Sequence, residues 1–461
     1  MEGKLNRIKT LMKNGGAVSI LFFISIIWIT TNTKIYQQAY RWDAAGYYAY
    51  LPATFIYDDL DFNFHKQNSG VEKEEFYRQA TNGKFLNKYG VGSPILQFPF
   101  FVAGHLTSKF SNHPQNGFSK YYKLFTAIGA AFYGALGLFF LGLSLKDYFG
   151  SFSLNLTLLS IGFATNFFYY SLMELMMSHI YSFFLFSLVL WAGIQWKKLD
   201  KPIYFLIFCL GGGLIVATRI TNIIFLMVPL FWGINDWSGI KSLFLQFKKQ
   251  IWILLFGIAL FALPLIPQFW YLNYAVGEFR SPYGHEPFFW SDPLFLKVLF
   301  SYRKGWFVWS PILLVGIFGW FLSFKKEGFW VINIFLLINL YVISSWWCWW
   351  YGGSFGMRAL IESSVPFAFF MAAGFQFISQ FKLGKYFLMV ILPWFIGLNL
   401  FQSHQYNKGV IHHDAMTQKA YWTIFGYRPP LAPEVEAKKN KYLDFTDAKK
   451  TMEDAEYRRG L

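Results

Sequence analysis

The chain has 461 residues, of which 55% are hydrophobic and only 14% charged, whereas a soluble domain carries about 25% charge. Its apolar residues fall in long uncharged blocks able to cross a hydrocarbon layer of about 30 Å at about 1.5 Å per residue; this excludes an ordinary soluble domain and points to an all-α polytopic membrane protein. The net charge of +16 does not indicate nucleic-acid binding, because much of the excess sits in short loops between apolar runs, where it sets membrane orientation.

Lys4, Arg7, Lys9 and Lys13 precede the first apolar run, Ala17–Thr30. No small-residue cleavage site follows, and Asn32-Thr33-Lys34 then Tyr36-Gln37-Gln38 reads as a helix end, so a retained first span is expected rather than a cleaved leader. Further spans are expected at residues 119–145, 151–171, 179–196, 202–217, 221–234, 251–271, 308–323, 329–346, 363–379 and 386–401, about eleven in all with the first at 17–32. Lys146, Lys197, Lys198, Lys201, Lys241, Lys248, Lys249, Lys325, Lys326, Lys382 and Lys385 then fall in alternate connections. By the positive-inside rule these connections are cytoplasmic. The N-terminus is cytoplasmic too, and the intervening loops and C-terminus face outward from the cytoplasmic (inner) membrane.

The first outer loop, residues 33–118, is the longest. Within it Ser93–Leu106 is too short for a comfortable span and carries Pro94 and Pro99. An interfacial helix there keeps the basic loops on one side. Asp58, Asp59 and Asp61 lack the Gly and terminal Glu of a calcium loop and read as a solvated turn. Gly211-Gly212-Gly213 inside an apolar run reads as a site of close helix packing. Cys209 and Cys348 suggest free thiols rather than a disulfide framework. The tail, residues 402–461, is expected to be a short outward appendage, partly disordered.

The polar residues of the outer connections gather on one side. Arg41 and Asp43 open the first loop, flanked by Trp42, Tyr47 and Tyr48. Glu174 and His179 flank the second, and Arg219 marks the third, where an Arg among apolar residues needs a partner or a pathway. Arg280, His285, Glu286, Arg303 and Lys304 lie in the fourth. The fifth carries Trp350 and Arg358 in a Trp- and Gly-rich run. No HExxH or paired-His spacing suggests a metal site, and the glycines beside Ser354 form neither a GxGxxG nor a Walker loop. Cations at the interface suit a lipid phosphate, and a carboxylate can take a proton from an acceptor hydroxyl. Each residue also has a bland role: Asp43 as a helix cap, Glu174 as an interfacial acid, His179 as a hydrogen-bonded core residue, Arg219 in a structural ion pair, Arg303 and Lys304 as an interfacial anchor.

Together these pieces resemble the GT-C superfamily of polytopic glycosyltransferases, including the protein O-mannosyltransferase-like and aminoarabinose-transferase-like families of bacteria. The resemblance covers topology over about residues 17–401. Its local carriers are Tyr40-Arg41-Trp42-Asp43 after the first span, Tyr89-Gly90-Val91-Gly92-Ser93-Pro94-Ile95-Leu96 leading into the interfacial helix, Glu174 as a second acid, Arg219-Ile220-Thr221-Asn222 with Ile where Pro is common, and Gly352-Gly353-Ser354-Phe355-Gly356-Met357-Arg358. It implies a transmembrane catalytic domain over 1–401 and inverting transfer of a sugar from a polyprenyl-phosphate donor. Asp43 would be general base and Glu174 would orient acceptor or sugar. Arg219, Arg303, Lys304 and Arg358 would compete for the donor phosphate, and Arg41, Trp42, Tyr47, Tyr48, His179 and Trp350 would contact sugar or acceptor. No cofactor is certain, and the need for a divalent metal stays open. The acid is a lone Asp where the mannosyltransferases carry an Asp-Glu pair, and no large soluble domain follows. Both departures favour an envelope lipid or glycan acceptor over protein. A membrane transporter or lipid flippase is the alternative; it would need polar residues at bilayer depth and paired broken helices. A membrane acyltransferase with His179 as base and an envelope scaffold rank below it.

Overall fold

A computed structural model of the chain describes residues 13–65, 77–80, 82–277, 286–446 and 453. Arg280 and His285 lie outside the described residues. The fold is mostly helical. Its principal helices are α1 Gly16–Thr33, α2 Trp42–Tyr48, α3 Gly92–Phe110, α4 Lys120–Leu145, α5 Ser151–Ala164, α6 Ser178–Leu199, α7 Pro202–Thr218, α8 Trp237–Lys249, α9 Ile251–Ala262, α10 Ile266–Val276, α11 Leu314–Phe321, α12 Phe329–Ser345, α13 Ser364–Ile378, α14 Lys382–Asn407, α15 Gln418–Ile424 and α16 Pro433–Lys441. A two-residue hairpin pairs β1 Arg78–Gln79 with β2 Phe85–Leu86 antiparallel.

Among the described residues five segments are long and apolar enough to cross a membrane: α1, α4, α6, the continuous α9–α10 run Ile251–Val276, and α14. The other expected spans coincide with shorter apolar helices of 10–17 residues. In the apolar 18-residue stretch of the α9–α10 run and of α14 only 11% and 17% of the residues are buried. Apolar faces that large are rare on soluble monomers. The interfacial segment expected at 93–106 is a longer helix, α3, with Pro99 inside it, and it falls outside the span-competent set.

The chain falls into two compact units. One holds the described residues of 1–147 and 170–284, the other those of 148–169 and 285–461. In the first unit α4 packs against α1, α3 and α6, and α7 packs against α6 and α9. The glycine run in α7 has the role expected of it. A Cβ on Gly213 would lie 2.1 Å from the Phe261 carbonyl oxygen and one on Gly211 2.5 Å from Val189, so two apolar helices meet nearly backbone to backbone. Helix α7 starts at Pro202, whose missing N–H is no loss at a first turn.

In the second unit α13 packs against α11 and α5, and α14 packs against α5. Asn399 of α14 donates to the Phe163 and Thr165 carbonyls at 2.9 Å each, which satisfies acceptors at the end of α5 that have no partner within the helix. The tail departs from expectation. Gln402 donates to Tyr421 Oη at 2.6 Å, Gln405 to the Ile424 and Tyr427 carbonyls, and Thr417 to the Tyr442 carbonyl. Ala420, Tyr421 and Ile424 are buried. The tail up to about residue 446 is therefore packed structure, because its carbonyls and the Tyr421 hydroxyl accept from the Gln402 and Gln405 side chains of α14's last turns.

The Gly213 contact generates a test. Gly213→Val should destabilise the solubilised protein by about 1–3 kcal/mol through overpacking. Gly397→Ala in α14, where a Cβ meets nothing within 4 Å, should leave the melting temperature unchanged or raise it. Equal melting curves for Gly213→Val and wild type would show that the helices do not meet there.

Candidate functional site

After α1 the backbone turns sharply. Lys34 and Trp42 adopt left-handed φ values of 53° and 48°, which cost an L-residue roughly 1–2 kcal/mol each. The strained turn leaves the Trp42 indole 75% exposed and puts Asp43 in the first turn of α2, where the helix dipole favours a carboxylate. Tyr89 Oη donates to Asp43 Oδ1 at 2.6 Å.

That donor is itself fixed. Asn87 Nδ2 donates to the Gly46 carbonyl at 2.8 Å and Asn87 Oδ1 accepts from Tyr89 N at 3.1 Å. Tyr50 Oη donates to the Tyr89 carbonyl at 2.8 Å, and the Tyr47 ring lies 4.6 Å from that of Tyr89. Tyr47 is buried, and buried Tyr48 donates to the Gly117 carbonyl at 2.6 Å. Both tyrosines thus brace the loop from inside instead of offering a ring face to a sugar. Trp42 is the aromatic of this cluster that remains exposed.

Arg41 reaches Glu174, with Nη2 3.2 Å from Oε1, and both side chains keep some exposure. Residues 173–177, which carry Glu174, are held by Gln97 donating to the Met176 carbonyl at 3.1 Å and Tyr181 to the Leu175 carbonyl at 3.0 Å. A partly solvated pair contributes little stability, about 0–1 kcal/mol. It ties the 173–177 loop to the start of the stretch that carries Asp43, two residues after Arg41.

Gly90 and Gly92 then join this cluster to the Arg219 turn. A Cβ on Gly90 would stand 2.3 Å from the Ala217 carbonyl oxygen, and one on Gly92 2.3 Å from Thr218 Oγ1. Only a bare backbone fits against the end of α7. Half-buried Arg219 lies 3.4 Å from His179 through Nη1 and Nε2. His179 is fully buried and faces Arg219 through this contact. Asn222 of the same turn donates to Ser182 Oγ at 3.3 Å. The first unit thus holds the Arg41–Glu174 pair, Asp43 on Tyr89, and the 87–92 stretch packed on the end of α7 that leads into Arg219.

The second unit holds the other expected cations. Arg303 is 7% and Lys304 1% exposed. Arg303 Nε donates to the Asp414 carbonyl at 2.7 Å, its Nη2 lies 3.3 Å from Asp414 Oδ1, and its guanidinium lies 4.1 Å from the Trp350 ring centroid. Lys304 Nζ donates to the carbonyls of Ser354 and His413. These two cations hold the 350–354 loop and the 412–414 tail loop together, so neither is exposed to a donor phosphate, and buried Trp350 carries a guanidinium rather than a sugar. Arg358 keeps partial exposure.

Burial pushes the Lys304 ammonium down to about 7; Asp414 opposes the shift, and Arg303 and Arg358 add to it. Burial likewise raises the Cys348 thiol to about 12, which keeps it unreactive. His412 is lowered to about 4 by burial and by His413. Its Nδ1 accepts from the Asp414 and Ala415 amides at 3.0 Å each, as a neutral ring can.

Asp414 escaped sequence reasoning, although it is the only acid between Glu362 and Glu434, a signal that could have singled it out. Tyr89 escaped as well, because the Tyr-Gly-Val-Gly run carried no charge. Asp59 accepts from the Asp61 amide and from Asn63 N and Nδ2, which makes the Asp58–Asp61 stretch a turn as expected. Among the described residues no group of three or more His, Cys, Asp and Glu side chains is arranged to hold a metal. No protein-family model matches the chain, and no curated protein matches it.

Lys304 generates a pH test. Between its folded value of about 7 and the ordinary 10.5, the unfolded chain holds a proton at this site that the folded chain does not. Stability therefore rises with pH across that window, by at most about 1.4 kcal/mol per pH unit, and the term vanishes below it. Chemical unfolding of wild type and Lys304→Met from pH 6 to 10 should show the steeper rise in wild type. Parallel curves would show that Lys304 stays charged in the fold.

Proposed function

We propose that the chain is a multi-span membrane glycosyltransferase that moves a sugar from a polyprenyl-phosphate donor to an envelope lipid or glycan on the outer face of the cytoplasmic membrane. The observation that carries this reading is the Asp43 carboxylate, held by Tyr89 at 2.6 Å beside the Arg41–Glu174 pair. Its loop packs directly on the turn that carries Arg219.

In this reading the eleven apolar helices are eleven passages of a GT-C-like bundle. A helix of 17 residues covers about 26 Å at about 1.5 Å per residue, and the shorter ones cross with the help of adjoining turns. The basic loops lie in the cytoplasm, which puts residues 33–118 and the 402–446 region outside.

The reaction is a single displacement with inversion. The acceptor oxygen attacks the anomeric carbon and its proton passes to Asp43. The bond from that carbon to the phosphate oxygen breaks, and the polyprenyl phosphate leaves with the electron pair. Tyr89 orients Asp43 through Oδ1. Arg219 stabilises the growing charge on the phosphate, for which a guanidinium is well shaped. Glu174 holds Arg41 in place, and exposed Trp42 offers an aromatic face to the sugar. Arg303 and Lys304, both buried in the second unit, are not given the phosphate role in this reading.

The test uses protein in lipid nanodiscs with a panel of polyprenyl-phosphate sugars and envelope extract as acceptor, followed by mass spectrometry. Wild type should release polyprenyl phosphate. Asp43→Asn should reduce release about 10²–10⁴-fold, the usual worth of a general base, with its melting curve intact. Arg219→Ala should weaken turnover more than Arg303→Lys does. Wild-type turnover by Asp43→Asn removes Asp43 from the role, and absence of donor breakdown by wild type across the panel overturns the glycosyltransferase reading.

A further inference from the structure

Helix α8 carries a surface that the reaction does not use. It starts cleanly, with Asp236 capping the Gly239 amide at 2.8 Å, and its inner face is fixed. Phe247 stacks on Trp196 with ring centroids 5.7 Å apart, Leu243 is buried, and Gln246 donates to the Asp200 carboxylate.

The opposite face is unusual. At 3.6 residues per turn, Phe244, Trp237, Lys248, Lys241 and Leu245 share one arc about 100° wide. All five are exposed: Trp237 by 76%, Phe244 by 69%, Leu245 by 57%, and both lysines fully in the exposed class. A face meant for water carries polar side chains. This one alternates large apolar groups with ammonium groups, the composition of a helix lying in a lipid headgroup layer.

Two further observations say what covers it. A single residue, Gln250, separates α8 from α9, and only 11% of the residues in the apolar 18-residue stretch of the α9–α10 run are buried, so the chain passes from α8 directly into a segment whose surface suits hydrocarbon. The same end of the unit is basic. Lys146 follows α4, Lys197 and Lys198 occupy the last turn of α6, and Lys201 precedes α7. Lys198 is 3.1 Å from Asp147, and apart from Asp147 the acids here are Asp200, which accepts from Gln246, and the cap Asp236.

We propose that α8 is an interfacial anchor that lies in the bilayer surface, with Trp237, Phe244 and Leu245 among the acyl chains and Lys241, Lys248 and Lys249 on anionic phospholipid headgroups. This assignment is independent of the reaction. Each surface lysine near an anionic leaflet contributes about 1 kcal/mol, or about fivefold in affinity.

The experiment uses the full chain in nanodiscs of phosphatidylcholine alone or mixed with phosphatidylglycerol. Cys209 and Cys348 are replaced by Ala, and a nitroxide is placed in turn at Phe244, Ser242 and Ile258. Oxygen and water-soluble nickel accessibility then report depth. Oxygen should dominate at Ile258 in α9 and at Phe244, and nickel at Ser242. The ratio of phosphatidylglycerol to phosphatidylcholine that stays with the detergent-extracted protein should fall at least fivefold in Lys241→Gln/Lys248→Gln/Lys249→Gln. Nickel access at Phe244 equal to that at Ser242, with Ile258 in lipid, overturns the anchor. An unchanged lipid ratio overturns the headgroup preference, and a water-exposed Ile258 overturns the membrane contact itself.

Discussion

The hydrogen bond from Tyr89 to Asp43 is the central constraint of the first unit, because the short stretch that carries it is bonded to α2 and α10 and packed on the end of α7. Asn87 ties the stretch to α2 through the Gly46 carbonyl. Val91 N donates to Gln268 Oε1 at 2.9 Å, which ties it to α10. Gly90 and Gly92 lie against the end of α7 with no room for a side chain. A tyrosine hydroxyl at 2.6 Å from a carboxylate is a strong bond, but its orientation depends on a backbone whose own hydrogen bonds are satisfied from three directions. Through this stretch the acid is joined to the end of α7 and to helix α3, which starts at Gly92.

A chain so poor in charge treats each ionic group according to its burial. Where water reaches, as at Arg41 and Glu174, two side chains pair. Where water does not reach, as at Lys304, the ammonium is satisfied by backbone carbonyls, which cost no second desolvated charge. Arg303 sits between these cases, with one carboxylate, one carbonyl and the face of Trp350. The same arithmetic explains Glu286, a buried acid that accepts from the indoles of Trp346 and Trp347 at 3.0 and 3.3 Å. The tryptophans that look like an aromatic belt in the sequence are partly hydrogen-bond donors to a buried carboxylate.

Apolar periodicity and length made the helices legible, and charge placement marked the segments between them, because those signals are local. The glycine run of α7 was legible for the same reason: three adjacent residues without side chains have few uses inside an apolar helix. What stayed hidden was pairing at a distance. Nothing near Glu174 says that its cation is Arg41, 133 residues away, and nothing in Arg303-Lys304 says that their partners lie in the tail. Burial sorted the aromatic residues as well. Trp42, Tyr47 and Tyr48 look alike in the sequence, yet only Trp42 is turned outward, by a left-handed backbone that no pattern of side chains announces.

The Lys304 site also sets an order of events during synthesis. Its two carbonyl partners lie 50 and 109 residues further along the chain, and the carbonyl partner of Arg303 lies 111 residues on. At about 5–20 residues per second, the ribosome needs roughly 5–20 s to supply them. Throughout that interval two adjacent cations have no permanent acceptors and must stay hydrated, so the loop that holds them is kept out of the hydrophobic interior until the last segments emerge. The final clamp of the second unit is therefore a late step, closed only once residues 413 and 414 have been made.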